Sequence, residues 1–227
     1  MQHDGGVSRS PSPQNRGGRP SRTSRAQILA GARKIIDRDG WEKLTVRRLA
    51  AELGIGAPTL YHHVRDREDL LIQLLNEHAE QTLRGELPER PVERIVAAMT
   101  AIHDSLTAWP WAAEVLTADG FLRRLGHPAL EMVEAVVGGA VDHGCTLDHA
   151  VHVFRSAWYY TVGEILVRAR SRDTPAHQEA FFGEVDTSRL PRLAEVGDQW
   201  PVLAAEDTYR QGLSAFVTGL LAQATSS

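Results

Sequence analysis

The chain is poor in cysteine and in long apolar runs, and both shortages exclude classes of protein. Among its 227 residues, Cys145 is the one cysteine, so an internal disulfide cannot form. No run of about 18 apolar residues occurs, so a membrane span is not expected. The first residues are polar and lack the apolar segment of a signal peptide. We therefore expect a cytoplasmic protein that does not bind membranes.

Strand patterns and catalytic motifs are also missing. No stretch alternates between apolar and polar residues with period two, whereas apolar residues at helical spacing recur along most of the chain. There is no nucleophile elbow, P-loop, HExxH motif or paired-carboxylate motif. The sequence therefore predicts an all-α protein that is not an enzyme and needs no cofactor.

Charge is divided unevenly along the chain. Residues 1–70 contain 13 Lys or Arg against 8 Asp or Glu, whereas the remainder contains 12 against 21. A basic first third on an acidic remainder fits one part that meets phosphate and another that does not. The alternative is that this difference in charge between the two parts arose by chance.

Residues 44–70 carry the most specific pattern, two short helices joined by a tight turn. Thr45 is a good N-cap, and an apolar stripe follows it. Gly54 stands just after that stripe, where a left-handed residue commonly ends a helix. Pro58 suits the first turn of the next helix. The stripe consists of Val46, Leu49, Ala50 and Leu53. Helices joined by so short a turn cross steeply, which predicts a helix-turn-helix over residues 45–64.

This segment resembles the DNA-binding head of the TetR family of bacterial repressors. The similarity is strongest in PTLYHHV at residues 58–64 and RDREDL at residues 65–70. The last helix, from Tyr209, more loosely resembles the end of the C-terminal domain in the tetracycline-repressor subgroup. The resemblance implies a three-helix head and a larger helical body that binds an effector and dimerises.

The resemblance also implies which residues meet double-stranded DNA. Arg47 is the best candidate for reading a base, because a guanidinium matches the two acceptors of guanine. Ala57, Pro58 and Thr59 begin the recognition helix and should approach bases. The residues that the resemblance implies as phosphate contacts are Thr45, Tyr61, His63 and Arg67. The complete predicted set is Thr45, Val46, Arg47, Ala57, Pro58, Thr59, Tyr61, His63 and Arg67. The alternatives are a half-buried ring for Tyr61, a surface histidine for His63 and an acidic partner for Arg67.

The domain organisation follows from composition and helical spacing. Residues 1–22 are rich in Gly, Pro, Ser and Arg and predict a disordered basic arm, which either touches DNA or is a solvated tail. Residues 23–83 form the predicted DNA-binding domain, and residues 84–227 form the helical body. A segment with three prolines at about residues 171–203 predicts a long loop, either disordered or a lid.

The last helix has a stripe of small residues, which predicts a dimer interface. The predicted interface residues are Gly212, Ala215, Phe216, Gly219 and Ala222. A helix that is apolar over so wide an arc is covered on both sides, by its own core and by a second subunit. A wholly internal helix is the alternative.

Aromatic residues concentrate in the body and suggest a pocket for a small, mainly apolar effector. The candidate pocket residues are His103, Trp111, Phe154, Trp158, Tyr160, Thr161 and Glu164. Core packing is the alternative for the aromatic stripe. An ungapped alignment places Leu83, Leu116 and Val167 where tetracycline repressors hold a magnesium–drug complex. Since magnesium needs oxygen ligands, we expect no dependence on this metal.

Three histidines and the cysteine near the middle of the body are candidates for a metal site. His143, Cys145, His149 and His152 are ligand types for zinc or copper. Their spacing matches no strong zinc pattern, so no metal site is predicted.

The sequence therefore predicts a homodimeric repressor that leaves a palindromic operator when an effector binds. A DNA-binding regulator controlled by a protein partner is the alternative.

Overall fold

A computed structural model describes residues 23–117, 120–173, 186 and 188–224. All regular structure within these ranges is helical, which confirms the predicted all-α class. None of the helices described there is both long enough and apolar enough to cross a membrane. The predicted basic arm of residues 1–22 lies outside the described residues.

The chain divides into two compact units, Met1–His63 and Val64–Ser227. The division falls before the helix Arg67–Thr82, which the sequence analysis assigns to the N-terminal domain. This helix packs against two helices of the second unit, and these contacts draw it into the larger unit.

Three helices and one 3₁₀ turn make up the first unit. They are α1 (Arg25–Asp39), the 3₁₀ turn Trp41–Lys43, α2 (Val46–Glu52) and α3 (Ala57–Tyr61). Ser24 and Gln27 form a reciprocal capping box at the start of α1, because each side chain accepts from the other residue's backbone N–H. Gly40 ends α1 with a φ of 88°, which suits a residue without a side chain.

The turn between α2 and α3 has the geometry that its glycine predicts. Gly54 has a φ of 65°, and its N–H donates to the carbonyl oxygen of Ala51 at 3.2 Å. The N–H of Ile55 donates to the carbonyl oxygen of Ala50 at 3.0 Å. Together the two bonds form a Schellman motif, which satisfies carbonyl groups at the end of α2. The predicted helix-turn-helix is therefore present as local structure.

A close approach of α1 and α2 closes the small core of the first unit. A Cβ atom on Gly31 would lie 2.9 Å from Leu53 Cδ2 and 3.1 Å from Leu49 Cδ1, so a larger residue here would push α2 away. Apolar side chains from all three helices fill the space between them. The buried ones are Ile28, Leu29, Ala32, Ile35, Leu44, Val46, Leu49, Ala50 and Leu60.

Eight helices make up the described part of the second unit. They are α4 (Arg67–Thr82), α5 (Pro91–Thr107), α6 (Pro110–Val115), α7 (His127–Asp142), α8 (Leu147–Asp173), α9 (Pro191–Val196), α10 (Trp200–Ala204) and α11 (Tyr209–Ala224). Helix α5 is central and packs against α7, α8 and α11. Gly139 permits the α5–α7 approach, since a Cβ there would lie 2.8 Å from Ile95 Cγ1.

The segment at residues 171–203 differs from the predicted long loop. Helix α8 continues to Asp173, and residues 191–204 form α9, a 3₁₀ turn and α10. Pro191 and Pro201 stand in the first turns of α9 and α10, where a missing N–H costs nothing. Prolines that suggested an irregular loop thus start short helices. Residues 174–185, which the predicted loop includes, are outside the described residues.

Candidate functional site

Two adjacent arginines of α2 have different surroundings. Arg47 is exposed to solvent, whereas Arg48 forms an ion pair within the first unit. Arg48 Nη2 lies 2.6 Å from Asp39 Oδ2, which joins α2 to the end of α1. Arg38 strengthens this junction through an ion pair with Glu52 at 3.2 Å. The side chain of Arg47 is exposed, and it forms no ion pair or hydrogen bond with any residue that the structure describes. Its guanidinium is therefore available to an external partner.

The exposed surface continues along the first turn of α3. Pro58 and Thr59 are exposed and Ala57 is half-buried. Tyr61 is 54% exposed, so it is not the closing ring of the core, which was the alternative for this residue. Leu60 is fully buried and anchors the short helix. Apolar and hydroxyl groups thus form the outer face of α3.

Two predicted contacts need separate comment. Val46 is only 8% exposed, because it faces the core with the rest of the α2 stripe. Its side chain therefore packs in the core, and a contact of Val46 with DNA is left to its backbone N–H at the start of α2. Thr45 is exposed and caps α2, with its hydroxyl oxygen accepting from the N–H of Arg48 at 3.1 Å.

The two remaining predicted phosphate contacts fall in different units. His63 is exposed at the end of the first unit, and Arg67 is half-buried in the first turn of α4 in the second. Asp66 caps α4, and Asp69 is engaged by Arg65 at 3.3 Å.

Helix α11 has two contrasting faces. Its buried face consists of Tyr209, Leu213, Val217 and Leu221, all at most 2% exposed. The opposite stripe is exposed, apart from half-buried Gly212. The exposed residues there are Ala215, Phe216, Gly219 and Ala222. The alternative of a wholly internal helix is therefore excluded within the described protomer.

An apolar cavity lies inside the second unit. Its free volume is about 60 Å³, which is smaller than the roughly 300–1,000 Å³ of typical small-molecule pockets. Its walls come from α4, α5, α7, α8 and the segment between α6 and α7. The lining residues are Leu75, Asn76, His78, Ala79, Leu83, Ile102, Ser105, Leu106, Leu116, Phe121, Leu125, Ala129, Val133, Phe154 and Trp158.

The cavity contains two of the predicted pocket residues, Phe154 and Trp158. The other five lie elsewhere for identifiable reasons. Trp111 stacks on Trp109, with ring centroids 5.5 Å apart. Tyr160 stacks on Phe216 of α11, with centroids 5.5 Å apart. His103, Thr161 and Glu164 belong to a polar network between helices.

That polar network joins α5, α8 and α11. The two ring nitrogens of His103 lie 2.7 Å from Glu164 Oε2 and 3.0 Å from Asp104 Oδ1. Its ring stacks on Tyr209, with centroids 3.7 Å apart. Arg168 pairs with Glu164 from the next turn of α8. The network is thus packed between helices, although Glu164 Oε1 is buried without a hydrogen-bond partner among the described residues.

The Tyr209 hydroxyl is the centre of contact between three helices. It lies 2.8 Å from Thr161 Oγ1 on α8 and 3.3 Å from the carbonyl oxygen of Met99 on α5. Burial raises the pKa of Tyr209, so the hydroxyl keeps its proton. The start of α11 is thereby fixed to both neighbouring helices.

The cavity has three polar residues in its lining, all missed by the sequence analysis. His78 Nε2 lies 2.9 Å from the carbonyl oxygen of Ser105. Since a carbonyl only accepts, Nε2 donates in this bond. The Ser105 hydroxyl lies 2.8 Å from Thr82 Oγ1. Single polar residues on helices carry no sequence signal that distinguishes cavity from surface.

Asn76 holds the segment that closes one side of the cavity. Its Nδ2 donates to the carbonyl oxygen of Arg124 at 3.1 Å, and its Oδ1 accepts from the N–H of Gly126 at 2.7 Å. Arg124 is also paired with Glu68 near the start of α4. The wall residues Phe121 and Leu125 are thus fixed to α4 at two points.

We expect Asn76→Ala to destabilise the protein by about 1–3 kcal/mol, because two backbone groups lose their partner in a half-buried setting. Glu80→Ala, at an exposed position of the same helix, should change stability by less than about 0.5 kcal/mol. Urea unfolding of both variants gives the measurement. Equal stabilities would show that water replaces the amide at no cost.

The residues aligned with the magnesium site of tetracycline repressors are separated. Leu83 and Leu116 line the cavity, whereas Val167 is 65% exposed and does not. No cluster of three potential metal ligands occurs among the described residues.

In the group of His143, Cys145, His149 and His152, the ring centroids of His149 and His152 lie 6.1 Å apart. Burial raises the pKa of the Cys145 thiol.

Comparison with known proteins identifies both units. A family model described as "Bacterial regulatory proteins, tetR family" matches residues 28–74. Another, described as "Tetracyclin repressor-like, C-terminal domain", matches residues 87–224, which is more than half of the chain. The class E tetracycline repressor protein of Escherichia coli is 26% identical over 211 residues, 89% of this chain and 93% of that protein. A shorter match, 48% identical over 52 residues, covers 23% of this chain and 24% of an uncharacterised HTH-type regulator of Mycobacterium tuberculosis.

Solved structures share this architecture. BioQ of Mycobacterium smegmatis, solved with its double-stranded DNA operator, is 26% identical with a TM-score of 0.61, covering 87% of this chain and 97% of that one. ActR of Streptomyces coelicolor, solved with (S)-DNPA, is 23% identical with a TM-score of 0.70, covering 88% and 97%. The likeness to ActR shows the fold alone. With the helix-turn-helix and the helical second unit, these matches show that the chain belongs to the tetR family and is a DNA-binding transcriptional regulator, not an enzyme.

Proposed function

We propose that this regulator is a homodimeric repressor that binds a palindromic operator in the cytoplasm and leaves it when a small, mainly apolar effector enters the cavity. The observation that carries the proposal is the apolar cavity in the second unit of a chain whose first unit is a DNA-binding head. An effector shifts such an equilibrium only by its difference in affinity for the two conformations.

The exposed groups of the first unit support the DNA-binding part of this proposal. Arg47 is the exposed guanidinium of α2, and Thr59 and Tyr61 stand on the outer face of α3. We assign base reading to Arg47, because a guanidinium distinguishes guanine through two acceptors. Thr45, Tyr61, His63 and Arg67 are the proposed phosphate contacts, which fix register without reading sequence. BioQ was solved with its double-stranded DNA operator, which supports this use of the fold.

The exposed stripe of α11 supports the homodimer. Gly219 and its small neighbours leave the helix surface nearly flat, so a second α11 can approach closely. Phe216, 37% exposed, supplies apolar area beside them. A dimer places two heads on one operator, and a two-fold protein matches a palindrome with half-sites about 34–36 Å apart.

The cavity walls support an apolar effector that needs no magnesium. Leu83 and Leu116 offer no ligand atoms to a cation, and magnesium prefers oxygen. Phe154 and Trp158 present aromatic surface. His78 and Ser105 supply polar atoms that can orient a bound molecule.

Release from operator DNA tests the effector directly. A panel of planar apolar compounds should include members that release the protein from DNA equally well with and without EDTA. Trp158 fluorescence should change with the same compounds, since this residue lines the cavity. Release that strictly requires a divalent metal would contradict the proposal. Release by no compound, together with capture of a partner that removes the protein from DNA, would favour control by a protein.

Two substitutions test the proposed phosphate contacts, one of a charged residue and one of a neutral residue. Arg67→Ala should weaken binding to every DNA sequence and reduce the slope of log affinity against log salt by about two for the dimer, because each subunit loses one phosphate contact. Tyr61→Phe should weaken all sequences without changing the slope, since its hydroxyl is neutral. Fluorescence anisotropy over a salt series gives both values. An unchanged slope for Arg67→Ala would show that Arg67 does not contact phosphate.

A further inference from the structure

The cavity of the second unit is too small for a typical effector in the conformation that the structure shows. Its free volume of about 60 Å³ compares with roughly 300–1,000 Å³ for most small-molecule pockets. An effector of ordinary size therefore enters only if one wall of the cavity moves outward.

One wall is less firmly packed than the others. Residues 120–126, which we call the 120–126 segment, contain the 3₁₀ turn Phe121–Arg124 and lead into α7. No residue of that turn is buried, although Phe121 and Leu125 line the cavity. The other walls come mainly from α4, α5, α7 and α8, whose packed faces are buried. The segment is therefore the wall that a bound molecule displaces most easily.

Three polar contacts fasten the 120–126 segment to α4. The Asn76 side chain donates to the carbonyl oxygen of Arg124 and accepts from the N–H of Gly126. The guanidinium of Arg124 forms an ion pair with Glu68, which lies in the first turn of α4. Glu68 and Asn76 are about 12 Å apart along the helix axis, so the segment is held along α4 rather than at a single point.

The position of α4 in the chain gives these contacts a consequence for DNA binding. Helix α4 begins at Arg67, and residues 62–66 connect it to α3, which ends at Tyr61. Because a helix moves as a rigid element, a force on its first turn acts on the residues that connect it to α3. Outward movement of the segment either breaks the contacts with Glu68 and Asn76 or carries the start of α4 with it.

We infer that the 120–126 segment is the movable wall of the effector cavity and that Arg124, through its ion pair with Glu68, transmits this movement to the start of α4. Arg124 is thus a positioning residue for release from the operator, since it acts through Glu68 rather than on the effector or the DNA. This inference rests on the proposed function and names the residues that connect the cavity to the helix that follows the DNA-binding head.

Filling the cavity with a side chain tests the inference without a known effector. Val133→Phe adds volume at the cavity lining and should displace the segment. It should weaken binding to operator DNA, selected from a random duplex library, by about fivefold or more. With Arg124→Gln also present, this loss should be smaller by about twofold or more, because the contact with α4 is broken. Fluorescence anisotropy on the full-length chain measures the four affinities.

Two variants provide the controls. Arg123→Gln changes the adjacent exposed arginine and should leave the effect of Val133→Phe at its full size. Glu68→Gln breaks the same ion pair from α4 and should reduce that effect as Arg124→Gln does. Each effect is a ratio within one background, so a change in DNA affinity caused by Glu68→Gln itself cancels. Thermal unfolding verifies folding, and Ala129→Leu, a smaller addition to the same lining, replaces Val133→Phe if that protein is unfolded.

The possible outcomes separate this inference from the proposed function. An equal effect of Val133→Phe with and without Arg124→Gln would overturn the inference, as would a folded Val133→Phe protein with unchanged operator affinity. N-phenyl-1-naphthylamine, a neutral apolar fluorescent probe, tests the effector site by itself. Binding of this probe that Val133→Phe abolishes supports the cavity as a ligand site. Binding that is absent, or unchanged by Val133→Phe, would contradict the proposed effector site, whatever the ratios for Arg124→Gln show.

Discussion

Arg47→Ala is expected to weaken operator binding by about 30-fold or more, the largest effect that we predict for a single side chain. Loss of a bidentate contact with guanine costs about 1–3 kcal/mol per half-site. A dimer loses the contact twice, so the total is about 2–6 kcal/mol, since each 1.4 kcal/mol is tenfold. Preference at one base pair in each half-site should be lost at the same time. Competition assays on operator variants measure both effects.

Arg48→Ala is the matched control for this prediction. Arg48 is adjacent in sequence but is paired with Asp39, so its removal weakens the α1–α2 junction rather than a DNA contact. We expect a modest loss of stability and a small loss of affinity, equal for all operator variants. If Arg47→Ala likewise weakens all variants equally, Arg47 contacts phosphate and another residue reads the base.

Gly219→Leu is expected to dissociate the dimer without unfolding the protomer. A Cβ atom on Gly219 would meet no heavy atom within 4 Å in the described chain, so the protomer itself accommodates a side chain there. Leucine also has the higher helix propensity, by roughly 1 kcal/mol. Overpacking a close helix crossing costs about 1–3 kcal/mol per site, and two-fold symmetry doubles this value. Light scattering should show monomers, and operator affinity should fall although the head is unchanged.

Gly138→Leu on α7 is the control for the Gly219 experiment. Its added Cβ would have Glu134 Oε1 at 3.9 Å as its nearest neighbour, so this substitution also fits the protomer. We expect it to remain dimeric and to bind the operator normally. A Gly219→Leu protein that is folded, dimeric and fully active would place the small-residue stripe outside the interface.

The local structure was largely predictable because short-range hydrogen bonds determine it. The Thr45 cap and the left-handed Gly54 each depend on residues a few positions apart. Prolines near residues 171–203 were misread because a proline both interrupts one helix and begins another. The same residue type is compatible with both structures, and only the tertiary context decides.

The cavity was much less predictable, since its walls come from distant parts of the chain. Phe154 and Trp158 were identified because large apolar side chains are conspicuous in a helix. His78 and Asn76 were missed, because a polar residue on a half-buried helix has the same pattern whether it faces a cavity or solvent. Glu164 was assigned to the pocket, but its Oε2 lies 2.7 Å from Nε2 of His103 on the neighbouring helix. Such pairings depend on helix packing, which periodicity does not specify.

The hydrogen bonds of the Tyr209 hydroxyl affect the local opening of helix α11. This hydroxyl bridges to Thr161 and Met99, so the N-terminal half of α11 opens only when contacts with two other helices break. Amide hydrogen exchange should therefore be slowest near Leu213 and become faster toward Gln223 in the isolated protomer. Association of two subunits along the exposed stripe would slow exchange at the far end and flatten this gradient.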